Sequence, residues 1–260
     1  MAEFWNIYIG GLAIVLACMT ILWVVSLILT NASIVDPFWG SSFVILVWYY
    51  FARTPGGDEV RKSLLVVLVT LWGVRLTLYL LWRNWGRGED FRYQAFRRKY
   101  GPHRYWWISF FQTFMLQGML AWIVSSALLG AQVRGGGLNI FDYLGLGIWL
   151  IGIIFEAGSD FQLARFKADP ANQGQLLTTG FWKYTRHPNY FGDAACWWGY
   201  GLLSIAAGSY LAALGAVVMT VLIVRVSGVA LLEKSLHKDK PGYAAYARRT
   251  SAFIPLPPKE

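Results

Sequence analysis

Seven apolar runs, bounded by charge, glycine or proline, dominate this chain of 260 residues. They extend from Ile7 to Leu29, Ile34 to Phe51, Ser63 to Leu81, Phe110 to Leu129, Phe141 to Leu163, Tyr190 to Ile205 and Tyr210 to Leu232. A helix needs about 20 mostly apolar residues to cross the hydrocarbon core, where only helices and closed barrels satisfy their own backbone. The runs therefore predict an all-α fold, a polytopic membrane helix bundle with seven transmembrane helices. Composition agrees: 14% of the residues are charged and 56% are hydrophobic, whereas a soluble domain has roughly a quarter charged. The first run reads as a retained helix and not a cleaved signal. It is preceded by Glu3 with no base, and it exceeds the about 7 to 15 residues of a signal h-region.

The net charge of +9 would suggest a nucleic-acid partner in a soluble protein. The positions of the bases give it another meaning. Seven lie between the third and fourth runs, four between the fifth and sixth, and six in the tail, so seventeen of the 23 fall on one side of the predicted membrane. Four fall on the other side (Arg53, Arg61, Lys62 and Arg134), and Arg75 and Arg225 lie within runs. By the positive-inside rule this places the C-terminus in the cytoplasm and, with seven spans, the N-terminus outside. Nucleic acid drops out as a partner. Seventeen bases exceed what orientation requires, and some could hold an anion. Cys18 and Cys196 lie in separate apolar runs and form neither a disulfide framework nor a metal cluster, so no metal is expected.

Ionisable side chains are costly in the hydrocarbon region, at least about 2.5 to 3.5 kcal/mol each, so they pair, line a cavity or act. Asp36 opens the second run, Arg75 lies in the third, Glu156 and Asp160 in the fifth, Asp193 in the sixth, and Arg225 and Glu233 in or just after the seventh. Glu156, Asp160 and Lys167 share one helical face, and Tyr79 follows Arg75 by one turn. A buried ion network would explain the first set and a snorkelling tyrosine the second; the clustering of carboxylates and bases favours a site. Arg186, His187 and Asn189 surround the predicted start of the sixth helix, next to Pro188, and a helix start suits an anionic group. No Walker, strand-associated GxGxxG, HExxH or nucleophile-elbow motif is present. Any nucleotide has to bind among helices and loops.

Several segments match a known pattern. Gly174-Gln175-Leu176-Leu177-Thr178-Thr179-Gly180-Phe181-Trp182-Lys183-Tyr184-Thr185-Arg186-His187-Pro188-Asn189-Tyr190, together with Glu233-Lys234-Ser235-Leu236 and the tail from Tyr243 to Pro255, resembles the steroid 5-alpha-reductase family. Ser33-Ile34-Val35-Asp36-Pro37-Phe38-Trp39-Gly40 and the stretch Arg83 to Tyr93 resemble its bacterial branch. The resemblance implies an NADPH-dependent reductase that saturates a carbon-carbon double bond conjugated to a ketone, with a lipophilic substrate such as a 3-oxo-4-ene steroid. It also implies an integral membrane location, the inner membrane if the bacterial likeness holds. Residues 1-109 would form the substrate-side part and 110-260 the cofactor-binding part.

By that resemblance Glu156 and Asp160 contact the nicotinamide half of NADPH and Lys167 a phosphate or ribose. Tyr184, Arg186, His187, Asn189, Tyr190 and Asp193 line the middle, and Glu233, His237, Arg248 and Arg249 close the pocket from the tail. Reduction develops negative charge on the ketone oxygen, and a hydrogen-bond donor must meet it. Asp36, kept protonated by desolvation, is the expected donor, with Arg75 and Tyr79 as its companions. The Arg-His-Pro-Asn-Tyr segment and the tail also occur in isoprenylcysteine and phospholipid methyltransferases that use S-adenosylmethionine. That enzyme class, and a small transporter, stay open as alternatives. The expected partners are a lipophilic small molecule and membrane lipid, and no obligate protein partner is evident.

Overall fold

The computed structural model of the chain describes residues 2–229, 232–233 and 242–259. Among these residues there is no β-strand, only an isolated bridge between Thr185 and Ser251. The chain runs through α1 (Ala2–Leu29), α2 (Val35–Arg53), α3 (Glu59–Asn84), α4 (Phe91–Tyr100), α5 (Pro102–Ser109), α6 (Leu116–Val124), α7 (Ser126–Gly130), α8 (Ile140–Ala168), α9 (Pro188–Ala206) and α10 (Leu214–Val221). A short tail helix, Tyr243–Arg249, follows. Two π-helical segments, Phe110–Met115 and Leu222–Ser227, continue α5 into α6 and extend α10.

Among the described residues five helical stretches are long and apolar enough to cross a membrane: Ala2–Leu29, Ala32–Arg53, Glu59–Asn84, Pro102–Gly130 and Ile140–Ala168. They carry the first five apolar runs, as a multi-pass membrane protein requires. The sixth run lies on α9, a helix of 19 residues, and the seventh enters α10 and the π-segment after it. Large apolar side chains lie open on the surface, Ile21, Ile28 and Leu211 among them. Such exposure penalises a protein in water and suits one in lipid.

The helix boundaries are set by local chemistry. Asp58 accepts a hydrogen bond from the Arg61 amide to cap α3, and Asp90 accepts from the Arg92 amide to cap α4. Asn139 and Asp142 form a capping box at the start of α8. Gly101, at φ 74, makes the left-handed corner between α4 and α5, and Pro102 then occupies the first turn of α5.

The chain forms two compact units, Met1–Leu138 with Ala207–Ala212, and Asn139–Ala206 with Ala213–Glu260. The fourth apolar run thus packs with the first three. In the first unit α2 and α3 run antiparallel, with Ser41 bonded to Thr77 at 3.0 Å and Trp48 to Thr70 at 3.2 Å. Their backbones touch at Gly40 and Gly73: a β-carbon on Gly73 would lie 2.7 Å from the Gly40 carbonyl oxygen. α1 joins through Tyr8, which stacks on Trp122 at 4.3 Å and receives the Trp122 indole N–H at its carbonyl, 2.8 Å away.

The second unit is built on a longer seam of the same kind. Gly145 and Gly152 on α8 face Gly199 and Gly192 on the antiparallel α9. A β-carbon on Gly145 would sit 2.9 Å from the Gly199 oxygen, and one on Gly152 2.6 Å from the Cys196 nitrogen. Small residues repeated at this spacing let two helices approach backbone to backbone, the arrangement that dispersion forces favour in lipid. The seam brings the polar residues of α8 and α9 together.

Candidate functional site

In the first unit a carboxylate at the start of α2 is gripped by α4. Asp36 accepts a hydrogen bond from Arg92 Nη2 on one oxygen and from the Tyr93 hydroxyl on the other, both at 2.6 Å. Asp90 holds the same guanidinium by its Nε at 2.8 Å, and Gln117 reaches the Tyr93 oxygen at 3.3 Å. A second pair, Arg97 with Glu89, ties α4 to the turn before α2, since Glu89 also accepts the Ala32 amide at 2.9 Å. Tyr93 is 5% exposed, and burial, with the Asp36 charge beside it, pushes its phenol well above the usual range. It remains a hydrogen-bond donor at every working pH.

Of the residues assigned to catalysis, Asp36 is therefore bonded on both oxygens, by Arg92 and Tyr93. The other two residues assigned to catalysis lie together on α3: the Arg75 guanidinium stands 5.9 Å from the Tyr79 ring centre, and Arg83 approaches the same ring at 5.9 Å. The pairing of Asp36 with Tyr93 is not among the sequence expectations, although an intramembrane Asp36 calls for a partner and an Asp-capped helix with Arg and Tyr in its first turn offers two.

In the second unit the seam of α8 and α9 buries Glu156 and Asp160, 2% and 4% exposed. The Asn189 amide donates to Asp160 at 3.3 Å, and Glu156 and Asp193 lie within electrostatic reach of Tyr200, which receives the Trp149 indole N–H at 2.9 Å. The shared face of Glu156 and Asp160 is thus turned into the protein. Lys167, on the last turn of α8, is exposed, as are Tyr184, Arg248 and Arg249.

A second cluster in this unit centres on Glu233. Arg186 grips both of its oxygens, at 2.9 and 3.0 Å, the His187 ring lies 2.7 Å away, and the Tyr243 hydroxyl donates at 2.7 Å. Arg186 also donates to the Ala247 and Thr250 carbonyls. Desolvation works against the Glu233 charge, but the bonds from Arg186, Tyr243 and His187 outweigh it and bring the carboxyl down to about 2. Burial lowers His187, more than the neighbouring Glu233 raises it. The imidazole stacks against Tyr190 at 5.8 Å.

The tail completes this arrangement. The Arg186 amide donates to the Ser251 carbonyl at 2.9 Å, Thr185 donates its hydroxyl to the Phe253 carbonyl at 2.9 Å, the Leu256 amide donates to the Tyr184 carbonyl at 3.0 Å, and Tyr246 donates to the Trp182 carbonyl. The segment before α9 and the tail thus form one strapped body. Of the tail residues assigned to the cofactor, Glu233 sits at the hub, Arg248 and Arg249 end the tail helix, and His237 lies outside the described residues. Tyr243 was missed: a tyrosine in a tail helix has no sequence signal for a carboxylate partner ten residues earlier.

The chain is similar to an uncharacterized protein of Schizosaccharomyces pombe, 25% identical over 279 residues, covering 96% of this chain and 80% of that one. No solved structure matches it. A family model described as a protein of unknown function (DUF1295) matches residues 22–250, a span that takes in the Asp36, Glu156 and Glu233 clusters alike, and the chain belongs to that family.

Proposed function

We propose that this protein is a membrane reductase that uses NADPH to saturate the double bond of a lipophilic enone, most simply a 3-oxo-4-ene steroid converted to its 5-alpha-dihydro form. The observation that carries the reading is the Tyr93–Asp36 hydrogen bond of 2.6 Å, a buried phenol held at the start of a membrane helix with Arg92 beside it. The likeness of the Asp36, Arg186 and tail segments to the steroid 5-alpha-reductase family supports it. The bias of bases supports seven spans with the N-terminus outside and the C-terminus in the cytoplasm, in a bacterial inner membrane.

The residues of the second unit fit the cofactor's chemistry in two parts. Glu156, Asp160, Asn189 and Asp193 offer the carboxylates and amide that a nicotinamide carboxamide and ribose hydroxyls hydrogen-bond. The phosphates require bases, and Arg186 is not one of them: its guanidinium is engaged by Glu233 and two tail carbonyls. Arg186 and His187 position the tail, and the exposed Lys167, Arg248 and Arg249 take the phosphates. NADPH, when bound, supplies the hydride. Tyr93 turns its single hydroxyl proton from Asp36 to the ketone oxygen as charge develops there, while Arg92 keeps the Asp36 carboxylate in place. Water provides the proton that completes the product. Tyr93 thus takes the place given from the sequence to Arg75 and Tyr79.

The test is turnover by the detergent-purified protein with NADPH and a panel of enones, read as loss of the dihydronicotinamide absorbance with the saturated ketone identified by mass spectrometry. Loss of absorbance matched by product is the expected result. No consumption with any enone, together with methyl transfer from S-adenosylmethionine to a prenyl thiol, would replace this reading with the methyltransferase one.

A further inference from the structure

The buried carboxylates of α8 occupy one side of that helix; the opposite side ends in a cavity that the reductase reading does not use. At 100° per residue, Tyr143, Leu150, Ile154, Phe161 and Arg165 fall on the face turned away from Glu156 and Asp160. All five are exposed, Phe161 to 67%. Gly147 lies on the same face with open space where a side chain would be. The stripe leads into a cavity of about 590 Å³, within the range of about 300 to 1,000 Å³ typical of small-molecule sites.

The chemistry of the cavity is divided. Phe166, Leu177 and Phe181 line it, and Gly158 leaves room for Phe181: a β-carbon there would lie 2.6 Å from the ring. Its polar groups are mostly committed within the protein. Asp169 accepts the Ala171 amide at 2.9 Å, Asn172 donates to the Phe166 carbonyl at 3.1 Å, and Gln162 accepts the Phe181 amide at 3.1 Å. Arg165 makes no hydrogen bond or ion pair among the described residues. Among the described residues this guanidinium is thus without a partner, where the apolar stripe meets the end of the membrane helix at the depth of a lipid phosphate.

We propose that this cavity binds an acidic phospholipid of the bilayer, its phosphate on Arg165 and one acyl chain along the Phe161 face of α8. A soluble anion would leave the aromatic lining without a role, and a neutral lipid would leave the guanidinium without one. A zwitterionic headgroup carries its own ammonium toward Arg165, so a net negative headgroup is selected. The site is separate from the Glu156, Asp160 and Glu233 groups and stands whether or not the protein is a reductase.

The experiment places the full chain in nanodiscs of phosphatidylcholine with and without phosphatidylglycerol and weighs retained lipid by native mass spectrometry. One retained phosphatidylglycerol is expected in preference to phosphatidylcholine. Arg165→Gln should lower its retention about fivefold, the worth of one base at a membrane surface. Arg165→Lys should keep most of it, and Thr179→Trp, which fills the rim, should displace it. Arg98→Gln, removing an exposed base of α4, should change nothing, and each variant's melting temperature separates lost binding from lost folding. Equal retention of the two lipids, equal loss with Arg98→Gln, or displacement by inorganic phosphate would overturn the proposal.

Discussion

Asp36 and Glu233 solve one problem in two ways. Each is a carboxylate at the end of an apolar run, and each is met by an arginine and a tyrosine. Asp36 takes both partners from adjacent residues of α4, Arg92 and Tyr93, so its cluster docks a single short helix. Glu233 draws on Arg186 and His187 before α9 and on Tyr243 of the tail helix, with Arg186 reaching on to Thr250. The first cluster is local and leaves a buried phenol at its centre. The second joins three segments, and its own buried phenol, Tyr243, is bonded to the carboxylate in the same way. What separates them is how much chain each one ties: the hub binds several segments, which suits assembly, and the compact cluster binds one short helix.

The sharpest way to break this division is Tyr93→Phe. It removes one hydroxyl and should lower enone turnover about 100- to 1,000-fold, as loss of an oxyanion donor does elsewhere, with the melting temperature nearly unchanged. Activity close to the parent would return the donor to Arg92 or to α3. Glu233→Gln should do the reverse. Leaving Arg186 without its anion should cost about 2 to 3 kcal/mol, less than a fully buried pair because Glu233 is 18% exposed. Faster proteolysis of the tail than of the helices would check it; uniform destabilisation would mean the hub holds the whole chain.

The helix seams offer a smaller effect. Gly152→Ala should destabilise by about 1 to 3 kcal/mol through overpacking against Cys196, while Gly147→Ala, with open space around it, should be neutral or slightly stabilising. Thermal melting in detergent separates the two. The smallest effect concerns pH. His187 is lowered in the fold, so its neutral form contributes stability above the ordinary value of 6.5, and that contribution falls away as the unfolded chain takes up its proton below 6.5. Glu233 is also lowered, so its contribution is present above 4.5 and is lost as pH falls toward about 2. Tail proteolysis should therefore rise in two steps on acidification, the first absent in His187→Asn.

Much of this was legible in the sequence. The first five apolar runs fall on helices long enough to span, because length and hydropathy are properties of a segment by itself. The face shared by Glu156 and Asp160 was equally readable from helical spacing. The π-segments were not, since a widened turn depends on what packs against it, and neither was the junction of Asp36 with Tyr93, whose partners are 57 residues apart. Arg186 was legible as a site residue but not its role: pairing with Glu233 is a fact of tertiary structure, and a lone arginine reads the same whether it waits for a phosphate or is already spent.

The glycine seam of α8 and α9 carries a consequence for motion. Backbone lies against backbone at two levels seven residues apart, so a rotation of either helix, or a slide by less than a whole repeat, drives Trp149 or Cys196 into a carbonyl. The two helices behave as one strut with no sliding freedom. Asp160 and Asn189 therefore sit against a rigid wall, and a shape change beside them has to come from the segments around the seam and not from the seam itself.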